Sequence, residues 1–204
     1  MNKLLILMYV LLAPTIGASA QQAEDNTFGG WLFCNVNHDF DNGIYVSGYF
    51  EHENYHFQRL DSNYFRVSAG YGILPWLKMG VNYVPVYEPG NSWLHYGEVD
   101  LVGTLKSGNL KVSIRERYRY GFTNGKNELR SRLKVAYSFP DSKFGIYLAP
   151  EVFTWGNEWK KTRHYAGGTF GITDKIQLEA YYMYYAFKDS PAENVIGFGV
   201  NFDL

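Results

Sequence analysis

VIGFGVNFDL, residues 195–204, ends the chain with regular alternation between two kinds of side chain. One face of this stretch is apolar (Ile196, Phe198, Val200, Phe202 and Leu204), and the other is small or polar (Gly197, Gly199, Asn201 and Asp203). Successive side chains of a β-strand point to opposite sides, so a period of two residues predicts a strand with one apolar face.

The same stretch also indicates how the protein is assembled. An amphipathic last strand with aromatic residues at alternate positions resembles the C-terminal signal that the outer-membrane barrel-assembly machinery reads. That signal usually ends in Phe, whereas this chain ends in Leu204, with Phe202 two positions earlier. We therefore expect residues 195–204 to form the closing strand of an outer-membrane barrel and to bind the assembly machinery.

Ten earlier segments have the same alternation, and most are long. Strands in soluble proteins average about 5–6 residues, whereas crossing a bilayer as a tilted strand takes about 9–11. The predicted segments are Trp31–Phe40, Gly43–His52, Tyr64–Ile73, Leu77–Tyr87, His95–Lys106, Leu110–Tyr120, Leu129–Phe139, Phe144–Trp155, Arg163–Ile172 and Ile176–Phe187. Their length favours strands that span a membrane.

The connections between these segments alternate between short turns and longer polar loops. Short turns rich in Asn, Asp, Gly or Pro, such as Asp41–Gly43 and Leu74–Trp76, alternate with loops such as Glu53–Asn63 and Gly121–Glu128. This layout is typical of outer-membrane barrels, whose periplasmic turns are short. The sequence therefore predicts an all-β, antiparallel, up-and-down transmembrane β-barrel of 10–12 strands. Because bacterial barrels of this kind have an even strand number, we expect 10 or 12, with 12 favoured if Gln21–Gly30 contains a short extra strand.

Composition excludes several other classes of protein. The 204 residues are 46% hydrophobic and 18% aromatic, with one Cys and a net charge of −1. A single Cys excludes an internal disulfide framework and a Cys-rich zinc site, and the charge gives no electrostatic reason to expect nucleic acid. No apolar run reaches the ~18 residues of a transmembrane helix.

The first twenty residues are predicted to be a signal peptide. Lys3 gives a positive start, Leu4–Ala13 is an apolar run, and Ala18–Ala20 supplies the small residues of a cleavage site. The domain organisation is therefore 1–20 signal peptide and 21–204 barrel, with export to the outer membrane.

Alternation alone does not decide which face of the barrel points inward. A soluble lipocalin-like barrel in the periplasm would bury the apolar face around an apolar ligand. Strand length, aromatic residues near strand ends, and a polar face that mixes small residues with Arg favour the membrane solution. The predicted lumen-lining charges are then Glu51, Glu98, Asp100, Arg115, Arg117, Arg119, Arg130, Arg132, Lys134, Glu151 and Glu179.

Two functions of this charged stripe remain open. Carboxylates and guanidinium groups on adjacent strands can pair and fill a small lumen structurally, or they can line a narrow path that selects anions. Glu116 does not fit the stripe, because it has the parity of Ile114 and Tyr118 and would face lipid unless a bulge shifts the register.

An envelope-lipid-modifying enzyme at the outer rim is the alternative function. His52 and His95 lie at loop ends of their strands, but no G-x-S-x-G nucleophile motif accompanies them. His52 and His56 have a spacing that serves metals on helices rather than in a loop. We therefore expect no catalytic residues, no metal and no cofactor.

Three parts of the chain resemble a protein family that is found in Gram-negative bacteria. They are Trp31, which opens the first predicted strand, the paired stretches Arg115–Glu116–Arg117–Tyr118–Arg119 and Leu129–Arg130–Ser131–Arg132–Leu133, and Pro150–Glu151–Val152–Phe153. Together they resemble the domain-of-unknown-function 2490 family, which is grouped with outer-membrane barrels. The resemblance implies fold and location, with no activity assigned. The expected protein is a non-enzymatic monomer in contact with outer-membrane lipid and not with nucleic acid.

Overall fold

The computed structural model describes residues 27–55, 57, 59–156 and 158–204. The predicted signal peptide and residues 21–26 of the predicted extra strand lie outside the described residues. Within the described part of the chain there are eleven strands: β1 (Thr27–Asp39), β2 (Ile44–Tyr55), β3 (Arg59–Leu74), β4 (Leu77–Tyr87), β5 (Leu94–Ser107), β6 (Leu110–Gly121), β7 (Asn127–Ser138), β8 (Phe144–Trp155), β9 (Glu158–Gly171), β10 (Ile176–Phe187) and β11 (Glu193–Asp203). No helix of this part is long and apolar enough to cross a membrane.

The eleven strands form one closed barrel, in which each strand pairs antiparallel with the next. Closure joins β1 to β11 in parallel, in a register that runs from Thr27↔Glu193 to Asn37↔Asp203. An odd number of alternating strands brings the first and last strands into the same direction, so the closing pair is parallel. The up-and-down barrel is confirmed, but the expectation of an even strand number is wrong for the described residues.

Tight turns connect the strands at one rim. At the first turn, Phe40 N–H donates to the Ile44 carbonyl at 2.8 Å, and Gly43 N–H donates to the Phe40 carbonyl at 3.0 Å. Gly43 has φ +84°, a left-handed conformation that costs little without a Cβ. The rim with these short connections is called the turn rim below, and the opposite one the loop rim.

The outer face of the barrel is apolar along its strands. Val67 and Leu105 are each 66% exposed, and Ile114 and Tyr118 on β6 are also exposed, whereas Arg115 and Arg117 between them are buried. The alternation therefore places apolar side chains outside and polar ones inside. Contiguous exposed apolar surface on this scale suits contact with lipid rather than water.

Aromatic rings lie flat across inward-facing glycines inside the barrel. A Cβ on Gly197 of β11 would overlap the Tyr181 ring of β10, and a Cβ on Gly199 would overlap the Phe33 ring of β1. These glycines therefore provide the room that large rings need against the wall. With Trp31, Tyr147 and Met183, the rings belong to an apolar cluster on the β1 and β8–β11 side of the interior.

Candidate functional site in the barrel lumen

The barrel encloses a cavity of about 850 Å³ lined by inward-facing side chains. Nine of the eleven predicted lumen residues line it: Glu51, Arg115, Arg117, Arg119, Arg130, Arg132, Lys134, Glu151 and Glu179. The other two, Glu98 and Asp100, are buried on β5 and bonded to arginines of β6. The structure therefore places all eleven side chains on the inner face of the barrel.

One ionic cluster joins β5 to β6. Arg117 donates from Nε to Asp100 Oδ1 at 2.5 Å and from Nη2 to Asp100 Oδ2 at 2.6 Å. Arg117 Nη1 lies 3.3 Å from Glu98 Oε2, and Arg119 Nη2 lies 2.6 Å from Glu98 Oε1. Two arginines and two carboxylates are thus balanced, and the Arg117–Asp100 contact has the two-pronged geometry of a strong charge-assisted pair.

A second ionic cluster surrounds Glu151 of β8, whose side chain is fully buried. Its Oε1 accepts from Arg115 Nη2 at 2.6 Å and from Arg130 Nε at 3.3 Å. Arg132 lies opposite Glu151 in the β7–β8 register. Arg115 and Arg130 therefore share one carboxylate, with Arg132 beside them on the same face, and this cluster carries an excess of positive charge.

A third group lies nearer the turn rim, around Glu179 of β10. Tyr147 OH donates to Glu179 Oε1 at 2.5 Å, and Asn201 Nδ2 donates to Glu179 Oε2 at 3.2 Å. Lys134 Nζ lies 3.8 Å from Glu179 Oε1 and 3.8 Å from the centre of the Tyr147 ring. This group ties β7, β8, β10 and β11 together across the interior.

Sequence reasoning missed Arg163, whose side chain lies against three aromatic rings inside the barrel. The Arg163 guanidinium of β9 lies 4.7 Å from the Trp31 ring centre, 4.4 Å from that of Tyr185 and 5.1 Å from that of Phe153. Contacts at such distances are attractive cation–π pairs. Parity along β9 would have placed Arg163 inside, but alternation does not identify contacts between β9 and β1.

Sequence reasoning also missed an acidic group near the loop rim. Glu53 of β2, Asp61 of β3 and Glu193 of β11 line the cavity together with Glu51. Ser62 Oγ donates to Glu53 Oε2 at 2.6 Å. Glu53, Asp61 and Glu193 fall in stretches that the sequence assigned to loops, because the strands extend further toward this rim than the apolar alternation does.

The lumen is consequently polarised across its width. Positive side chains are in excess on β6, β7 and β9, whereas the carboxylates of the acidic group near the loop rim lie on β2, β3 and β11. Fixed charges inside a closed barrel are screened less than charges on an open surface, so they act more strongly on one another.

The described histidines hydrogen-bond to hydroxyl, amide or main-chain oxygen atoms. His95 Nδ1 is 2.8 Å from Tyr83 OH, and His52 Nδ1 is 2.7 Å from Asn63 Oδ1. None of the four described histidines, including His38 and His164, is hydrogen-bonded to a side-chain carboxylate. Over the described residues, no group of three or more His, Cys, Asp or Glu side chains is arranged to hold a metal ion. His56 lies outside the described residues.

Glu116 faces outward, since no bulge shifts the register of β6. It lies opposite Leu101 on β5 and Ser131 on β7. Ser131 Oγ donates to Glu116 Oε2 at 2.5 Å, so the carboxylate keeps a polar partner on the apolar face.

Known proteins resemble this chain in family and in fold. The family model described as "Protein of unknown function (DUF2490)" matches residues 28–195. The NanC porin structure has a TM-score of 0.61 and 17% identity, covering 86% of this chain and 98% of that one. The KdgM porin has a TM-score of 0.52 and 14% identity, covering 74% and 81%. No curated protein matches the chain.

Proposed function

This chain belongs to the DUF2490 family of proteins of unknown function, as its sequence motifs predict, and we propose that it forms a narrow solute path through the outer membrane. The single observation that carries this proposal is the cavity of about 850 Å³ inside a closed barrel, lined by charged side chains. An interior filled for stability alone would be closed by side chains, as in barrels of about 8 strands, whereas barrels of 16 or more leave a channel. Eleven strands lie between these sizes.

The surface of the barrel supports the membrane location. Apolar side chains cover the outside, and the two similar folds named above are described as porins. We propose that the protein is exported by its signal peptide and works as a monomer surrounded by outer-membrane lipid. We also propose that the assembly machinery binds β11. The soluble lipocalin-like alternative would need an apolar interior, whereas the inward face here carries the ionic clusters.

The ionic clusters also favour an open path rather than a lumen that is filled by side chains. The balanced cluster of Arg117, Arg119, Glu98 and Asp100 holds its side chains against the β5–β6 wall. Side chains fixed to the wall leave the remaining lumen to water and solute. Arg132 and Lys134, which have weaker or no carboxylate contacts, line that remaining space.

The test is electrical conductance of the purified, refolded protein in a planar lipid bilayer. The proposal predicts discrete current steps in KCl, each from one inserted barrel. Membranes that contain folded, heat-modifiable protein but pass no current above the lipid baseline would mean that the lumen is structural filling.

Thiol labelling shows whether current flows through the lumen. In a Cys34→Ser background, Asn201→Cys places a thiol in the cavity and Val200→Cys places one on the outer face. A bulky thiol reagent should reduce the current of the Asn201→Cys protein by half or more and leave that of the Val200→Cys protein unchanged. Equal responses of the two variants would contradict a luminal path.

A further inference from the structure

Arg115 of β6 and Arg132 of β7 lie directly opposite one another, and both side chains face the cavity. Directly opposite residues of an antiparallel pair have Cβ atoms about 4.5–5.5 Å apart, and like charges at such positions destabilise a sheet. The pair therefore needs a counter-charge near both guanidinium groups.

Glu151 supplies only part of that counter-charge. Its Oε1 is 2.6 Å from Arg115 Nη2 and is shared with Arg130 Nε at 3.3 Å. Among the described residues, Arg132 has no carboxylate within 4.0 Å, although Glu151 is its neighbour in the β-ladder. Arg115 Nε is buried and has no hydrogen-bond partner in the same part of the chain.

The next inward residue of β7 adds to the positive charge. Lys134 follows Arg132 on the same face and reaches Glu179 Oε1 only at 3.8 Å. Four cations (Arg115, Arg130, Arg132 and Lys134) thus lie around two carboxylates (Glu151 and Glu179), which gives this side of the lumen a local excess of two positive charges.

We propose that Arg115 and Arg132, with Lys134 beside them, bind the oxyanion group of a solute, either a carboxylate or a phosphate. A guanidinium group presents two parallel N–H donors that match two oxygens of such a group, and Lys134 adds a point charge. This inference rests on the proposed function, because the anion reaches the site through the lumen. It deepens that function by naming a place of binding and a class of solute.

The experiment titrates inorganic phosphate, and separately acetate, into KCl while single-barrel current is recorded. A bound oxyanion should obstruct chloride, so current should fall with a saturable dependence on phosphate, acetate or both, and the stronger anion identifies the chemical class. Arg132→Gln should raise the half-blocking concentration by roughly tenfold, the effect of losing one charge-assisted hydrogen-bonded contact. Arg132→Lys keeps the charge but not the paired donors and should give an intermediate value.

Arg66→Gln is the matched control. Arg66 also lines the cavity, on β3, and has no carboxylate within 4.0 Å among the described residues, but its guanidinium stacks 4.7 Å from the Tyr49 ring with no second arginine opposite. It should change the half-blocking concentration by less than about twofold. Equal shifts in Arg66→Gln and Arg132→Gln would indicate a diffuse charge effect and overturn the local site.

Calorimetric titration of phosphate and acetate into the detergent-solubilised protein separates this inference from the proposed function. Conducting barrels with no saturable block and no anion binding would overturn the site and leave the path intact. A silent bilayer, together with anion binding that Arg132→Gln weakens, would overturn the path and support the site. Heat-modifiable mobility on a gel identifies folded variants, and Arg132→Lys carries the test if Arg132→Gln does not fold.

Discussion

Arg117 of β6 holds Asp100 of β5 through two parallel hydrogen bonds, Nε to Oδ1 at 2.5 Å and Nη2 to Oδ2 at 2.6 Å. Both side chains are inside the barrel, where Arg117 is 2% exposed and Asp100 8%. The register sets the pair directly across from one another, so the contact locks β5 to β6 at one alignment.

Asp100→Asn should therefore destabilise the barrel strongly. The substitution removes one of two carboxylates, so Arg117 and Arg119 must share the single charge of Glu98. Breaking a buried ion pair costs about 3–5 kcal/mol when no other carboxylate is near, and we expect a loss of up to that size here. Urea unfolding in lipid vesicles, followed by Trp fluorescence, measures the change. Asp39→Asn is the control, because its bridge to Lys78 at 2.9 Å is exposed and such pairs contribute about 0–1 kcal/mol. Equal midpoints for the two variants would contradict the structural role of the Arg117–Asp100 pair.

The outward pair Glu116 and Ser131 predicts opposite effects of two substitutions. Ser131→Ala removes the donor at 2.5 Å from Glu116 Oε2 and should lower the free energy of unfolding by about 1–3 kcal/mol. Glu116→Leu removes a carboxylate from the apolar face and should raise the free energy of unfolding. In the same vesicle unfolding assay, the double variant should match Glu116→Leu alone, since no carboxylate is left for Ser131 to bind. Additive effects would mean that the two side chains do not interact.

Local alternation predicted which face of each strand points into the barrel. The ion pairs and the closure of the barrel depend on contacts between strands that are distant in sequence. On β7, the parity of Arg130, Arg132 and Lys134 was sufficient to place them in the lumen. Parity did not reveal that Glu151 is shared by Arg115 and Arg130, because side-chain reach across two strands depends on register and rotamer. The eleven segments in the sequence correspond to the eleven strands, and the parallel closure follows from that odd number. It was not predicted because the even strand number of bacterial barrels was preferred to the count.

The glycine at the Tyr181 contact should not tolerate a side chain. Gly197→Ala would place a Cβ within the Tyr181 ring, so the ring must leave the wall and the barrel should fold poorly. The yield of heat-modifiable protein after refolding measures this effect. Gly48→Ala is the control, because nothing lies within 4 Å of a Cβ at that position. The double variant Gly197→Ala with Tyr181→Ser should fold again, because the smaller side chain leaves room for the Cβ. If the double variant does not fold, overlap with the Tyr181 ring is not the cause of the defect.

The parallel seam between β1 and β11 can be tested with the native cysteine. Cys34 is the register partner of Val200 on β11 and of Phe50 on β2. Val200→Cys should therefore give an intramolecular cross-link with Cys34 under mild oxidation or with a short thiol-specific linker. The product is detected as a gel shift of the unfolded protein.

Two further variants determine what the seam experiment means. Phe50→Cys should cross-link whatever the closure, because β1 and β2 form a hairpin, and it reports whether Cys34 is accessible to the reagent. Leu178→Cys on β10 is separated from Cys34 by β11, so it should not react when closure is direct. Neighbouring strands lie about 4.8 Å apart, and an additional strand between β1 and β11 would double that separation. Cross-linking of Phe50→Cys without cross-linking of Val200→Cys would therefore mean that a twelfth strand closes the barrel, which would make both closing pairs antiparallel.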